Sequence, residues 1–190
     1  MEIQKTKIPG AYIISPEVHG DARGWFCETY TKNKLTTVTN IEFVQDNQSY
    51  SAQSGIVRGL HCQINPHSQT KLIRCTRGMI ADVIVDIRRG SPTFKQWLKI
   101  ELSAENKKQL LIPRGCLHGF VTLTDDVEVQ YKVDDYYSKE CDRSVKFDDP
   151  EFGVDWGIVS PILSNKDASA PLFKDSDCEF VFDGAQGESK

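Results

Sequence analysis

The run KLIRCTRGMIADVIVDI, residues 71–87, decides how the rest of this chain is read. It holds two stretches of aliphatic and β-branched residues, KLIRC and IADVIVDI, split by the turn signal TRG. Their length and partial alternation suit strands, and the second is apolar enough to be covered on both faces. The pattern recurs at AYIIS (11–15), QWLKIEL (96–102), KQLLIP (108–113), HGFVTL (118–123) and VEVQYKV (127–133). RRGSPT, SAENKK, PRG and TDD turn the chain between them. Many short strands at this spacing predict a mainly β fold, a sandwich or barrel rather than βαβ units. A barrel or jelly roll with an interior pocket would cover both strand faces, and so would a sandwich packed against another subunit. The strand pattern alone leaves these open. Short helices are expected at TKNKLTTV (31–38) and after Ser164.

The 190 residues suffice for one well-cored domain, expected over 1–183, with 184–190 a flexible tail that lacks apolar anchors. With a net charge of -4 and scattered basic residues, no nucleic-acid surface is expected. The first ten residues, MEIQKTKIPG, have no signal-peptide core, and no apolar run approaches membrane-spanning length, so the expected location is the cytoplasm. Six cysteines (27, 62, 75, 116, 141 and 178) are irregularly spaced with no C-x-x-C pair. Reduced, mostly buried thiols are expected of them, rather than a zinc site or a disulfide framework.

Four histidines remain, and His19 and His67 fall in turn-rich contexts that read as surface. His118 sits in PRGCLHGF, whose Pro113, Gly115 and His118 resemble the second motif of the cupin superfamily. The resemblance implies a jelly-roll β-barrel. Cupins normally supply His-x-His and a nearby glutamate as metal ligands in their first motif. Here LHCQ offers His61 followed by Cys62 and Gln63, with Lys71 in place of a carboxylate. An ammonium is no metal ligand, so no metal and no other cofactor is expected.

The match narrows through a series of motifs in order. GDARGWF.E (20–28), FVQDN (43–47), RGLH.Q (58–63), KLIR (71–74), SPTF..W (91–97), ELSAENK.QL.IPRG..HGF (101–120), YKVDDYY (131–137), FDDPE.GVDW (147–156) and LSNKD (163–167) resemble the dTDP-4-dehydrorhamnose 3,5-epimerase family. They run from about residue 7 to residue 172, nearly the whole chain. The resemblance implies an isomerase with a cupin-type jelly-roll fold and a few short helices, acting on a nucleotide-linked 4-keto-6-deoxyhexose. The ketone acidifies the C3 and C5 protons. Inverting those centres then takes a base on one face, an acid on the other and a group that stabilises the enolate oxygen.

By that resemblance His61 is the base, paired with Asp167, and Tyr131 is the proton donor on the opposite face of the sugar. Lys71, with His118, stabilises the enolate oxygen. Arg58 meets the diphosphate. Arg23 and Glu28 reach the nucleotide from the partner subunit of a homodimer, and Gln45 and Asn47 add polar contacts. Asp142 and Lys166 also bind substrate, while Tyr137 lines the sugar pocket or simply closes the barrel.

Arg58 and His61 are three apart and would face opposite sides of a regular strand. Sharing one pocket therefore predicts an irregularity between them, at Gly59. Cys62, Thr70 and Cys116 depart from the family pattern and are expected to alter pocket packing. Inversion of one centre only, a sugar-binding protein without catalysis and a metal-dependent cupin are the competing readings. The last is disfavoured by the missing second histidine.

Overall fold

The computed structural model describes residues 1–184. The last six residues of the expected tail lie outside them. The strands are β1 (Glu2–Lys5), β2 (Tyr12–Ser15), β3 (Val18–Asp21), β4 (Gly24–Cys27), β5 (Gln45–Ser51), β6 (Val57–Gln63), β7 (Lys71–Arg77) and β8 (Met79–Asp86). There follow β9 (Arg88–Arg89), β10 (Trp97–Ser103), β11 (Gln109–Ile112), β12 (Cys116–Thr122), β13 (Val127–Val133), β14 (Asp142–Ser144) and β15 (Phe180–Val181). Two one-turn helices, α1 (Lys32–Leu35) and α2 (Asn165–Ala168), fall where the sequence predicts them.

Two antiparallel sheets build a cupin-type jelly roll, in the orders β1-β2-β11-β7-β13-β5 and β10-β8-β12-β6-β14. One buried cluster joins them: Ile73, Leu110, Ile112 and Val129 from the first sheet meet Ile80, Ile84, Leu102 and Phe120 from the second. A second cluster sits on the other side of the five-stranded sheet. There Val57, Leu60, Val83, Val85 and Leu117 pack under Phe152, Trp156 and Phe180 of the C-terminal segment. This explains the continuous apolar run of β8, since Ile80 and Ile84 point between the sheets while Val83 and Val85 point under that segment. Leu35 of α1 joins Tyr12, Ile14, Leu72 and Leu111 in a third cluster against the six-stranded sheet. All six cysteines are free and five are buried, Cys27 being partly exposed. Among the described residues no helix is long and apolar enough to cross a membrane.

The irregularity predicted at Gly59 is present. His118 pairs with His61 and Phe120 with Arg58, so a step of two residues on β12 spans three on β6. Gly59 has φ 124°, and a Cβ there would lie 2.6 Å from the Gly119 Cα and 2.7 Å from the His118 carbonyl oxygen. A Cβ on Gly119 would in turn lie 2.8 Å from the Arg58 carbonyl oxygen. The two strands interlock through two glycines because neither backbone leaves room for a side chain.

Candidate active site

Between the sheets opens a cavity of about 440 Å³. The five-stranded sheet lines it with Arg58, His61, His118 and Phe120, and the six-stranded sheet with Ser49, Lys71, Ile73 and Tyr131. Pleat and register account for these positions. Cross-strand partners share a face, so the pairing of Ile73 with Tyr131 sets the phenol beside the strand that carries Lys71. The pairing of His118 with His61 sets two imidazoles side by side on the facing sheet. The extra residue at Gly59 lets Arg58 join His61 on the same wall. Arg58 is braced there through Nε to Ser51 Oγ (3.0 Å) and Nη2 to the Tyr50 carbonyl oxygen (2.8 Å).

His61 Nε2 lies 2.5 Å from Asp167 Oδ1. The histidine is 29% exposed at the cavity and the aspartate only 4%. Asp167 arrives on α2, whose N-cap Ser164 accepts from the Asp167 amide at 3.1 Å and donates its hydroxyl to Asp167 Oδ2 at 2.8 Å. Both carboxylate oxygens are therefore hydrogen-bonded. Burial pushes the Asp167 pKa up, but the His61 hydrogen bond and charge, Ser164 and Lys166 outweigh it and hold the carboxyl below its ordinary value.

On the opposite wall, burial pulls the Lys71 ammonium down, an effect only partly offset by Cys62, Asp142 and Asp82. Its Nζ stands 6.0 Å from the Tyr131 ring centroid. Burial, with Asp142, pushes the Tyr131 phenol up against the opposing charge of Arg58, so the phenol keeps its proton at neutral pH. His118 is deeper. Its Nε2 lies 2.8 Å from Oδ1 of Asp82, which is fully buried. Burial draws the His118 imidazolium down, Asp82 pushes it back, and Lys71 and His61 add to the fall. Among the described residues no group of three or more His, Cys, Asp or Glu side chains is arranged to hold a metal ion.

A family model described as dTDP-4-dehydrorhamnose 3,5-epimerase matches residues 5–175. The chain belongs to that family. It is 44% identical to the dTDP-4-dehydrorhamnose 3,5-epimerase of Shigella flexneri, over 93% of this chain and 98% of the relative. A Bacillus anthracis dTDP-4-dehydrorhamnose 3,5-epimerase, solved with TDP and PPi bound, superposes with a TM-score of 0.88 at 50% identity, covering 90% of this chain and 99% of that one. A Legionella pneumophila dTDP-6-deoxy-D-glucose-3,5-epimerase, in complex with dTDP-4-keto-L-rhamnose, gives 0.89 at 40% identity, covering 95% and 98%.

Of the residues that the epimerase resemblance singles out, His61, Asp167, Tyr131, Lys71, His118, Arg58 and Lys166 line this one cavity. Gln45 and Asn47 share a face of edge strand β5 with Ser49 and are linked at 2.8 Å, Gln45 Nε2 donating to Asn47 Oδ1. Lys166 donates to Asp142 at 2.5 Å, and Tyr137 is 59% exposed, with its hydroxyl 3.5 Å from the same carboxylate. Arg23 and Glu28 are not among the cavity-lining residues of this chain. Arg23 lies in the tight turn of the exposed β3–β4 hairpin, 90% exposed and bound to Asp21, and Glu28 follows β4 in an ion pair with Lys34. Cys62, Thr70 and Cys116 are not among the cavity-lining residues: Cys62 packs beneath the C-terminal segment, and Cys116 sits in the core between the sheets with Ile73 and Phe120, which do line it.

Two polar partners escaped the sequence reading. Ser164 carried a signal, since S-x-x-D ahead of a short helix is an N-capping pattern. Asp82 carried a subtler one: a lone carboxylate inside an apolar strand run demands a partner.

Proposed function

We propose that the protein is a dTDP-4-dehydrorhamnose 3,5-epimerase that inverts C3 and C5 of dTDP-4-keto-6-deoxyglucose to give dTDP-4-keto-L-rhamnose. What supports this best is that His61, backed by Asp167, and Tyr131 face one cavity from opposite sheets, with Lys71 on the phenol's side. A sugar held between the sheets meets a base on one face and an acid on the other. His61 takes the proton from carbon, the electron pair moves into the ketone to form the enolate, and Lys71 stabilises the oxygen. Tyr131 then delivers its O–H proton to the opposite face, which inverts the centre; solvent restores the phenol and takes the proton from His61. Asp167 stabilises the imidazolium that forms on His61. General acid–base catalysis of this kind is worth about 10²–10⁴-fold per group. The ketone supplies the acidity, so the cycle as drawn needs no cofactor.

Arg58 offers a guanidinium fork suited to the diphosphate. Lys166, Asp142, Gln45, Asn47 and Tyr137 extend the cavity's polar rim toward the nucleotide. Arg23 and Glu28 act in a homodimer, where the exposed hairpin with Trp25 and Phe26 reaches the partner's cavity. The test is incubation with the 4-keto sugar nucleotide in deuterated water, followed by NMR. Deuterium at both C3 and C5 is expected. Incorporation at one position selects a monoepimerase, and none at either overturns the enzymatic reading. His61→Ala should abolish exchange, whereas Tyr131→Phe should retain proton loss but impair inversion.

A further inference from the structure

The cavity holds two histidine–aspartate pairs, and only His61–Asp167 has a partner for both carboxylate oxygens. Asp82 sits in the middle of β8 with no exposed surface, and its Oδ2 has no hydrogen-bond partner among the described residues. Its Oδ1 meets His118 Nε2 alone. Among the described residues no lysine or arginine stands within 4.0 Å of it, Lys71 included. A carboxyl in such a place cannot cheaply hold a charge of its own with one oxygen bare, so the pair as a whole keeps the proton that neutralises it. The cationic and anionic groups facing the pair are Lys71 from β7 and the His61–Asp167 couple beside β6.

Resting on the epimerase reading above, the geometry points to Asp82 as a positioning residue that keeps His118 a hydrogen-bond donor. The His118–Asp82 pair is net neutral and holds one proton between Nε2 and Oδ1 and a second on Nδ1. Nδ1 is the ring nitrogen with no partner among the described residues, on a side chain that lines the cavity. A neutral imidazole whose Nε2–H faced an ionised Asp82 would instead turn a bare lone pair toward the sugar's carbonyl oxygen. That lone pair would repel the enolate as negative charge grew there. With the extra proton, Nδ1–H joins the Lys71 ammonium as a second donor, and the developing charge is shared between two groups preset for it. Asp82 touches neither substrate nor reacting atom. It acts by fixing where the protons of His118 lie.

The discriminating measurement is ¹⁵N NMR of the full-length, histidine-labelled protein without substrate at pH 7.5. His118 is assigned by the signal lost in His118→Phe. Nδ1 of His118 is expected to carry a proton, and a bare Nδ1 overturns the inference. Because no turnover is involved, a failure of the epimerase reading leaves this result standing. Kinetics give the second arm. In Asp82→Asn the amide can donate to Nε2 and leave the proton on Nδ1, so kcat should stay within about tenfold of wild type. Asp82→Leu removes the partner and should lower kcat by about 10²-fold with KM little changed. Two variants equally impaired, each with an unchanged melting profile, would also overturn it.

Discussion

Both histidine–aspartate pairs present their imidazoles to one cavity, yet the protein treats their carboxylates in opposite ways. Asp167 is delivered by a helix turn at the cavity's edge, with Ser164 donating to its second oxygen and Lys166 adding positive charge, so the anion is solvated by protein. Asp82 is delivered by the middle of a strand buried on both faces, where no second donor reaches it. On the proposed reading, the same two residue types thus make a base that can be charged on demand in one place and a fixed donor in the other. What separates them is the number of hydrogen bonds offered to the carboxylate, not the histidine.

The sharpest contrast is an isosteric one. Asp167→Asn should lower kcat by about 10³-fold, because the amide cannot stabilise the imidazolium and permits the wrong tautomer. The same change at Asp82 has been placed within tenfold above. Steady-state kinetics on the pair of variants would erase the distinction if both fell equally.

Ser164→Ala is expected to be milder, with about 1 kcal/mol lost in denaturant unfolding as the N-cap of α2 disappears. It should also raise the Asp167 pKa. In wild type that carboxyl adds stability that is fully present above its unfolded value near ~3.9 and lost as pH falls through the lower folded value. The variant should therefore lose less stability across that acid window, its deficit against wild type shrinking as pH falls, and acid titrations followed by circular dichroism would reveal it. A deficit that stays constant with pH would show that Ser164 does not help charge Asp167.

The smallest effect on stability concerns Lys71. Its folded pKa is drawn below the unfolded value, so the unfolded chain binds more protons between the two and stability rises with pH across that window. Lys71→Met should be inactive but no less stable, gaining up to about 1 kcal/mol at neutral pH, and should lose that alkaline rise. A destabilised variant would show that the ammonium is satisfied by protein rather than held for substrate.

Much of this was legible in the chain. Period-two runs with turn signals between them predicted β2, β7, β8, β10, β11, β12 and β13, and the offset of Arg58 from His61 predicted the bulge. The polar strand β5 and the exposed β3–β4 hairpin carry no apolar alternation, so only their sheet partners reveal them as strands. Alternation separates two of the cysteines: Cys62 follows His61 directly and turns away from it, whereas Cys116, two residues before His118, packs between the sheets. Asp82 was hidden because its partner lies 36 residues away on the neighbouring strand.

The bulge at Gly59 divides β6 into two segments of opposite parity. Before it the even position, Arg58, faces the cavity; after it the odd position, His61, does. Ironing the bulge flat with every residue kept would return the strand to simple alternation and turn one of these side chains outward, uncoupling the proposed diphosphate contact from the proposed base. Because the neighbouring strand answers with its own glycine at 119, enlarging either residue cannot be relieved by shrinking the other. Anyone transplanting this site to another β scaffold must carry both glycines and the extra residue as one indivisible unit.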